Sequence, residues 1–311
     1  MLADLQRMLV IGGVLALLGA AVLWGKGHPV AALLVAIVVL FGYAGALGLE
    51  FALAAWVNRR EAAATTTLGA WWRAWWREVR VAPQVFAWRQ PFRWQALPDS
   101  EAPLKGAAVV LVHGFVCNRG FWLPWLRALR ERGTAYATVN LEPVFGSIDA
   151  YVPQVEAAIR RAERLGDEKP VLVCHSMGGL AARAWLAADP RNAERVQWLI
   201  TIGSPHRGTW IGRFSRVANG RQMRVDCDWL CQLAVREREQ RGDSPYAQFV
   251  CWYADTDNIV FPASTATLPG ADNRLVPGAA HVDLAFHPKV MGESLAMLAS
   301  AGSSPSERTD P

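Results

Sequence analysis

Several things are scarce in this 311-residue sequence, and each scarcity excludes something. Charged residues make up only 19% of the chain, and lysine is rare beside arginine. The five cysteines (Cys117, Cys174, Cys227, Cys231 and Cys251) are odd in number and irregularly spaced, unlike a disulfide framework. Cys227 and Cys231 lack a second pair of Cys or His at zinc-ligand spacing, so no metal centre is expected, nor any cofactor. No repeat recurs along the chain, which argues against solenoids and propellers. The net charge of +5 is carried by arginines that sit among tryptophans beside an apolar segment. That arrangement suits an anionic membrane surface better than a nucleic acid.

What is abundant is apolar and aromatic. The chain holds 15 tryptophans, many of them crowded between residues 68 and 94. Residues 1–57 are almost wholly apolar, in two runs at 8–24 and 29–49 separated by the polar turn Gly25-Lys-Gly-His28. Each run is about long enough to cross a bilayer's hydrocarbon, which predicts a transmembrane helical hairpin. A cleaved signal peptide is the rival reading of the first run. Its leading region, however, sets Asp4 beside Arg7, and no small-residue cleavage site is clear before Lys26. Arg59, Arg60, Arg73, Arg77 and Arg80 follow the second run, whereas the turn has only Lys26. The positive-inside bias therefore orients both termini and the C-terminal bulk to the cytoplasmic side of the cell (inner) membrane.

Residues 58–84 read as a linker helix. On a helical wheel Leu68, Trp71, Trp72, Trp75, Trp76 and Val79 fall within an arc of about 140°, with Arg73, Arg77 and Arg80 beyond it. An indole face with a guanidinium flank suits the headgroup layer. The competing reading is a helix packed against the domain that follows.

From residue 85 the pattern becomes that of an α/β domain extending to 300, with a polar tail at 301–311. Residues 85–94 alternate weakly and read as an edge strand or pair. Strands are predicted at 107–112, 135–140, 171–173, 196–202, 249–253 and 273–276, and helices at 120–132, 151–165, 180–188 and 288–299. Strands alternating with helices imply a mostly parallel sheet covered on both faces.

The domain is organised around Cys174-His-Ser-Met-Gly-Gly179. A short apolar strand turns sharply into a helix there, lifting the Ser176 hydroxyl above the sheet with the next backbone N–H groups facing the same space. A serine becomes nucleophilic only when an oriented base takes its proton. Downstream, a strand end carries two carboxylates, Asp255 and Asp257, and the next carries His281 in a loop of small residues. The three follow one another in the order Ser, Asp, His, each at the carboxyl end of a predicted strand.

These segments together resemble the α/β-hydrolase lipases and esterases over about residues 85–299. His113-Gly114-Phe115 is similar to the family's oxyanion loop, and Gly203-Ser-Pro-His-Arg-Gly208 to a segment of bacterial triacylglycerol lipases. Asp257-x-x-Val-x-Pro262 and Gly278-x-x-His281 resemble the acid and histidine loops. The resemblance implies an α/β-hydrolase fold behind two transmembrane helices. It also implies a triad of Ser176, His281 and Asp257, with Asp255 the rival acid, and an oxyanion hole from the N–H groups of Phe115 and Met177. Cys174 departs from the usual glycine of the turn but keeps it small, and is expected to be inert packing. His113 is expected to shape its loop, His175 to be structural, His206 to rim the pocket and His287 to cap a helix. Residues 209–247 are expected to form a cap.

The resulting expectation is a membrane-anchored serine hydrolase of carboxylic esters, with lipids or long acyl esters as substrate and membrane lipids as partners. A thioesterase or acyltransferase could use the same triad, and an inactive membrane scaffold is the reading from another class. The sequence is silent on acyl length and oligomeric state.

Overall fold

The computed structural model describes residues 2–60 and 66–301; the tail predicted at 301–311 lies, beyond Ala301, outside them. Two long helices open the chain, α1 (Leu2–Gly25) and α2 (Pro29–Asn58). Both are long and apolar enough to cross a membrane, and most of their side chains are exposed. Gly27 takes a positive φ of 83° in the turn between them, and Pro29 opens α2, where a missing N–H costs nothing. α2 runs well past the apolar segment that ends at residue 49, and its last turns lie on the C-terminal domain.

The third helix, α3 (Leu68–Pro83), starts at Thr67, whose side chain accepts the Ala70 N–H. Its buried residues are Ala74, Glu78 and Ala82, spaced by four along one stripe. The indole arc is split. Trp71 and Trp75 pack against Phe51 and Ala280, while Trp72 and Trp76 remain exposed.

The edge strand predicted at 85–94 is not formed. The chain continues from α3 into a wide π-type turn, Gln84–Arg89, and then a short helical stretch. Pro83 should have stopped the helix, because it cannot donate to the Val79 carbonyl one turn back. The Tyr43 hydroxyl of α2 donates to that carbonyl at 2.9 Å, so the orphaned acceptor is satisfied and the helix can proceed. Val85 is then wholly buried in the core of the following domain.

That domain is a six-stranded, all-parallel sheet in the order β2-β1-β3-β4-β5-β6. The strands are β1 (Ala107–Val112), β2 (Tyr136–Val139), β3 (Glu168–His175), β4 (Leu199–Ile202), β5 (Phe249–Tyr253) and β6 (Asp272–Leu275). The longer helices are α4 (Leu123–Glu131), α5 (Val152–Leu165), α6 (Met177–Leu186), α7 (Asp228–Arg241), α8 (His281–Phe286) and α9 (Pro288–Ala301). β1 is buried throughout because it is covered on both faces. Ala108, Val110 and Val112 face the core beneath α5 and α6; Val109 and Leu111 face Trp122, Trp125 and Leu284 on the other side. The strand order reverses between β1 and β3, which opens a crevice at their carboxyl ends, the position where sheets of this kind bind ligands.

Candidate active site

Ser176 stands at that crevice, between β3 and α6. Its backbone has φ 54° and ψ −129°, a conformation a non-glycine residue adopts only when its surroundings impose it. Its N–H donates to the Ile202 carbonyl at 2.9 Å, which ties the turn to β4. The turn needs small neighbours: a Cβ on Gly178 would meet the His113 carbonyl oxygen at 2.7 Å, and one on Gly114 would meet Ser176 Cβ at 2.8 Å. Cys174 lies fully buried beneath, and burial drives its thiol pKa far up, so it holds no thiolate at neutral pH.

His281 begins α8, and its Nε2 lies 3.0 Å from Ser176 Oγ. Its Nδ1 lies 2.9 Å from Asp257 Oδ2. With Nδ1–H donating to the carboxylate, Nε2 offers its lone pair to the serine hydroxyl. The other oxygen of Asp257 accepts the N–H groups of Ile259 and Val260, both at 2.8 Å, which fixes the acid's orientation. Asp255 is engaged elsewhere: it accepts from Gly278 N–H at 2.8 Å and from Thr66 Oγ1 at 3.0 Å. Of the two candidate acids, Asp257 alone reaches the imidazole among the described residues. Burial by itself would lower the His281 pKa. The charge and hydrogen bond of Asp257, with Glu78 and Glu50 behind it, outweigh that and raise it above the ordinary histidine value.

Glu78, Glu50 and Asn258 are parts of this site that the sequence reading missed. The Glu78 carboxylate accepts the N–H groups of Val282 and Asp283, each at 3.0 Å. Asn258 Oδ1 accepts the His281 N–H at 3.2 Å, and its amide donates to Glu50 Oε2 at 2.8 Å. A faint signal existed: Glu50 is the sole charge in α2 and Glu78 the sole acid in α3.

Met177 N–H is the first of α6 and has no acceptor within the helix. It and the Phe115 N–H face no protein acceptor among the described residues. His113 shapes the loop between β1 and Phe115. The Leu141 N–H donates to its Nε2 at 3.2 Å, leaving Nδ1–H to donate to the Gly114 carbonyl at 2.9 Å. Burial pushes its pKa down to about 4, so it stays neutral. His175 stacks on Phe121 with ring centres 4.4 Å apart, and its Nε2 lies 3.2 Å from the His281 carbonyl oxygen. His287 accepts the Lys289 N–H at its Nδ1, 3.3 Å away, at the start of α9, as a cap would. His206 does not rim a pocket. It is buried beside Thr201 Oγ1, 3.0 Å away, because its carbonyl is drawn inward by the Arg183 guanidinium.

The excursion at 209–247 begins with a helical turn, Trp210–Phe214, lying against the acid loop and the end of α2. Trp210 stacks on Phe261 at 5.9 Å and meets Trp56 of α2 edge-on at 6.0 Å. Farther on, α7 is fastened to α6. Arg183 donates to Glu237 through Nε at 3.0 Å and Nη2 at 2.6 Å, and the side chains are 1% and 0% exposed. Among the described residues no cluster of His, Cys, Asp and Glu could hold a metal ion.

A parallel sheet with a sharp serine turn at its switch point, a histidine beside it and an acid behind defines a hydrolase of the α/β class. The chain belongs to the alpha/beta hydrolase family, whose profile matches residues 109–293. Among solved structures it is similar to a lipase of Bacillus licheniformis, BlEst2 in its mature form, with a TM-score of 0.52 at 16% identity. That alignment covers 67% of this chain and 96% of the lipase. Aspergillus fumigatus lipase B gives a TM-score of 0.51 at 18% identity, over 66% of this chain and 55% of that one. At such identities the likeness is one of fold. No curated protein sequence matches the chain significantly.

Proposed function

We propose that this protein is a membrane-anchored serine hydrolase that cleaves carboxylic esters of lipids or other long-acyl substrates, with its catalytic domain on the cytoplasmic face of the cell membrane. The observation that carries the proposal is the continuous relay from Ser176 Oγ through His281 to Asp257, at 3.0 and 2.9 Å. Ser176 attacks the ester carbonyl while His281 Nε2 takes its proton. Asp257 holds the imidazole in the required tautomer and stabilises it once charged. The tetrahedral oxyanion is received by the N–H groups of Phe115 and Met177, each worth about 3 kcal/mol in such sites. His281 then protonates the leaving alcohol. Water, activated by the same histidine, hydrolyses the acyl-enzyme.

The anchor reading rests on the apolar surfaces of α1 and α2 and on exposed Trp72 and Trp76 beside the arginines of α3. Lipid preference is supported by the end of α2 lying on the acid loop, with apolar Trp210 in contact with both Trp56 and Phe261 there. The test is ester hydrolysis by the detergent-solubilised protein over short, medium and long acyl chains, with Ser176→Ala alongside. Activity that rises with chain length and vanishes in the variant is expected. Serine-dependent turnover confined to short chains would remove the lipid assignment, and equal rates in both proteins would remove the triad.

A further inference from the structure

The base of the relay is held from behind by a residue of the N-terminal helices. Glu78 lies on the buried stripe of α3, is 1% exposed, and spends both carboxylate oxygens on the two N–H groups that follow His281 in the chain. α3 is tied to α2, because Trp75 Nε1 donates to the Ala44 carbonyl of α2 at 3.0 Å and the Tyr43 hydroxyl donates to the Val79 carbonyl. A second arm runs from Glu50 of α2 through Asn258 to the His281 N–H itself. Three successive backbone N–H groups, at His281, Val282 and Asp283, are thus oriented by side chains whose positions depend on α2 and α3.

We propose that Glu78 is a positioning residue for the His281 base, so that the N-terminal helices hold the imidazole in register with Ser176 and supply a negative charge behind it. The inference rests on the triad reading above. Ionised Glu78 favours the imidazolium that forms when Ser176 is deprotonated, and its fixed bonds keep Nε2 on the hydroxyl.

The charged and titratable groups around the pair come from every element packed there. Asp257 comes from the acid loop, Glu50 from α2, His175 from the end of β3 and Asp283 from α8. Arg77 comes from α3 itself, 3.9 Å from Asp283. Burial raises the Glu78 pKa to about 7, against the bonds from Asp283 and Val282 and the charge of His281. The charge of each group favours the charged form of the other.

The test measures kcat and KM of full-length, detergent-solubilised protein between pH 5 and 9 on a soluble ester, for wild type, Glu78→Gln, Glu78→Asp and Ser176→Ala. Glu78→Gln is expected to lower kcat about tenfold, with KM within about twofold, and to move the acidic limb to lower pH by about half a unit or more. Glu78→Asp keeps the charge and should return the limb toward its wild-type position. An unmoved limb in Glu78→Gln would overturn the proposal, whatever happens to kcat, since a purely structural role changes stability and not the titration of the base. If Glu78→Gln does not fold, Glu78→Asp decides: kcat lowered severalfold at unchanged KM and unchanged Tm supports the role, and wild-type kcat, or a loss accompanied by a fall in Tm, overturns it. Ser176→Ala separates the two levels, because activity surviving there would remove the triad, whereas its loss beside an unaltered Glu78→Gln removes only this inference.

Discussion

Replacing Arg183 by methionine probes the joint that holds the serine-bearing helix in place. The guanidinium donates to both oxygens of Glu237, to the His206 carbonyl at 2.7 Å and to the Tyr246 hydroxyl at 3.2 Å. Methionine fills much of the same volume but leaves Glu237, which is wholly buried, without its main counter-charge. Glu237 would keep the Tyr246 hydroxyl at 2.6 Å and Arg241 at 3.3 Å. The cost therefore belongs at the lower end of the range for a broken buried pair, about 3 kcal/mol. For a domain of this size that corresponds to a fall of roughly 6–12 °C in Tm. Tryptophan fluorescence on heating in detergent at a fixed scan rate reads the change. The double variant Arg183→Met/Glu237→Leu removes both charges and should regain most of the loss. A drop of less than about 2 °C in the single variant, or a double variant no better than the single, would refute this account of the pair.

Other expectations follow from the same geometry. Asp257→Asn should lower kcat by about 10⁴-fold, because the amide imposes the wrong tautomer on His281. Asp255→Asn, measured in the same assay, should keep kcat within about tenfold, since that carboxylate braces Gly278 and Thr66 and not the base. Gly178→Ala should lose at least about 100-fold in fluorophosphonate labelling rate, because the added methyl has only the carbonyls of Val112 and His113 to press against. The raised His281 pKa carries a definite sign: the base must be neutral, so kcat/KM should fall as pH decreases through a limb above 6.5. A limb below that value would mean that the carboxylates do not act on the imidazole.

Much of the hydrolase was legible because its signals are local. β1 and β5 coincide with the predicted 107–112 and 249–253, since each is a short apolar run between turn residues. Ser176 and His281 were marked by the small residues around them, which the tight turns require, and Asp257 by its place after a strand and the likeness of Asp257-x-x-Val-x-Pro262 to the family's acid loop. What was illegible depends on contacts across the chain. Glu78 meets Val282 and Asp283, some two hundred positions away. No periodicity in α3 announces an acid turned inward, and the indoles that dominate its wheel drew attention to the neighbouring face. The same distance hid the fate of residues 85–94. Their weak alternation suited a strand, but the deciding contact was the hydroxyl of Tyr43, in another helix, on a carbonyl that Pro83 had left without a donor.

The seating of α2 and α3 on the acid and histidine loops also limits how this protein can be divided or recombined. A cut ahead of residue 85 would respect the apparent border between the apolar helices and the α/β domain, yet it would strip Phe51, Ala54, Ala74 and Glu78 from Ala280, Phe261 and the start of α8. The hydrolase half would then present a raw apolar face and two unanswered N–H groups beside its own base. The N-terminal helices and the hydrolase half are therefore not interchangeable cassettes. A different N-terminal segment grafted onto the catalytic half would have to bring its own acid to the place of Glu78.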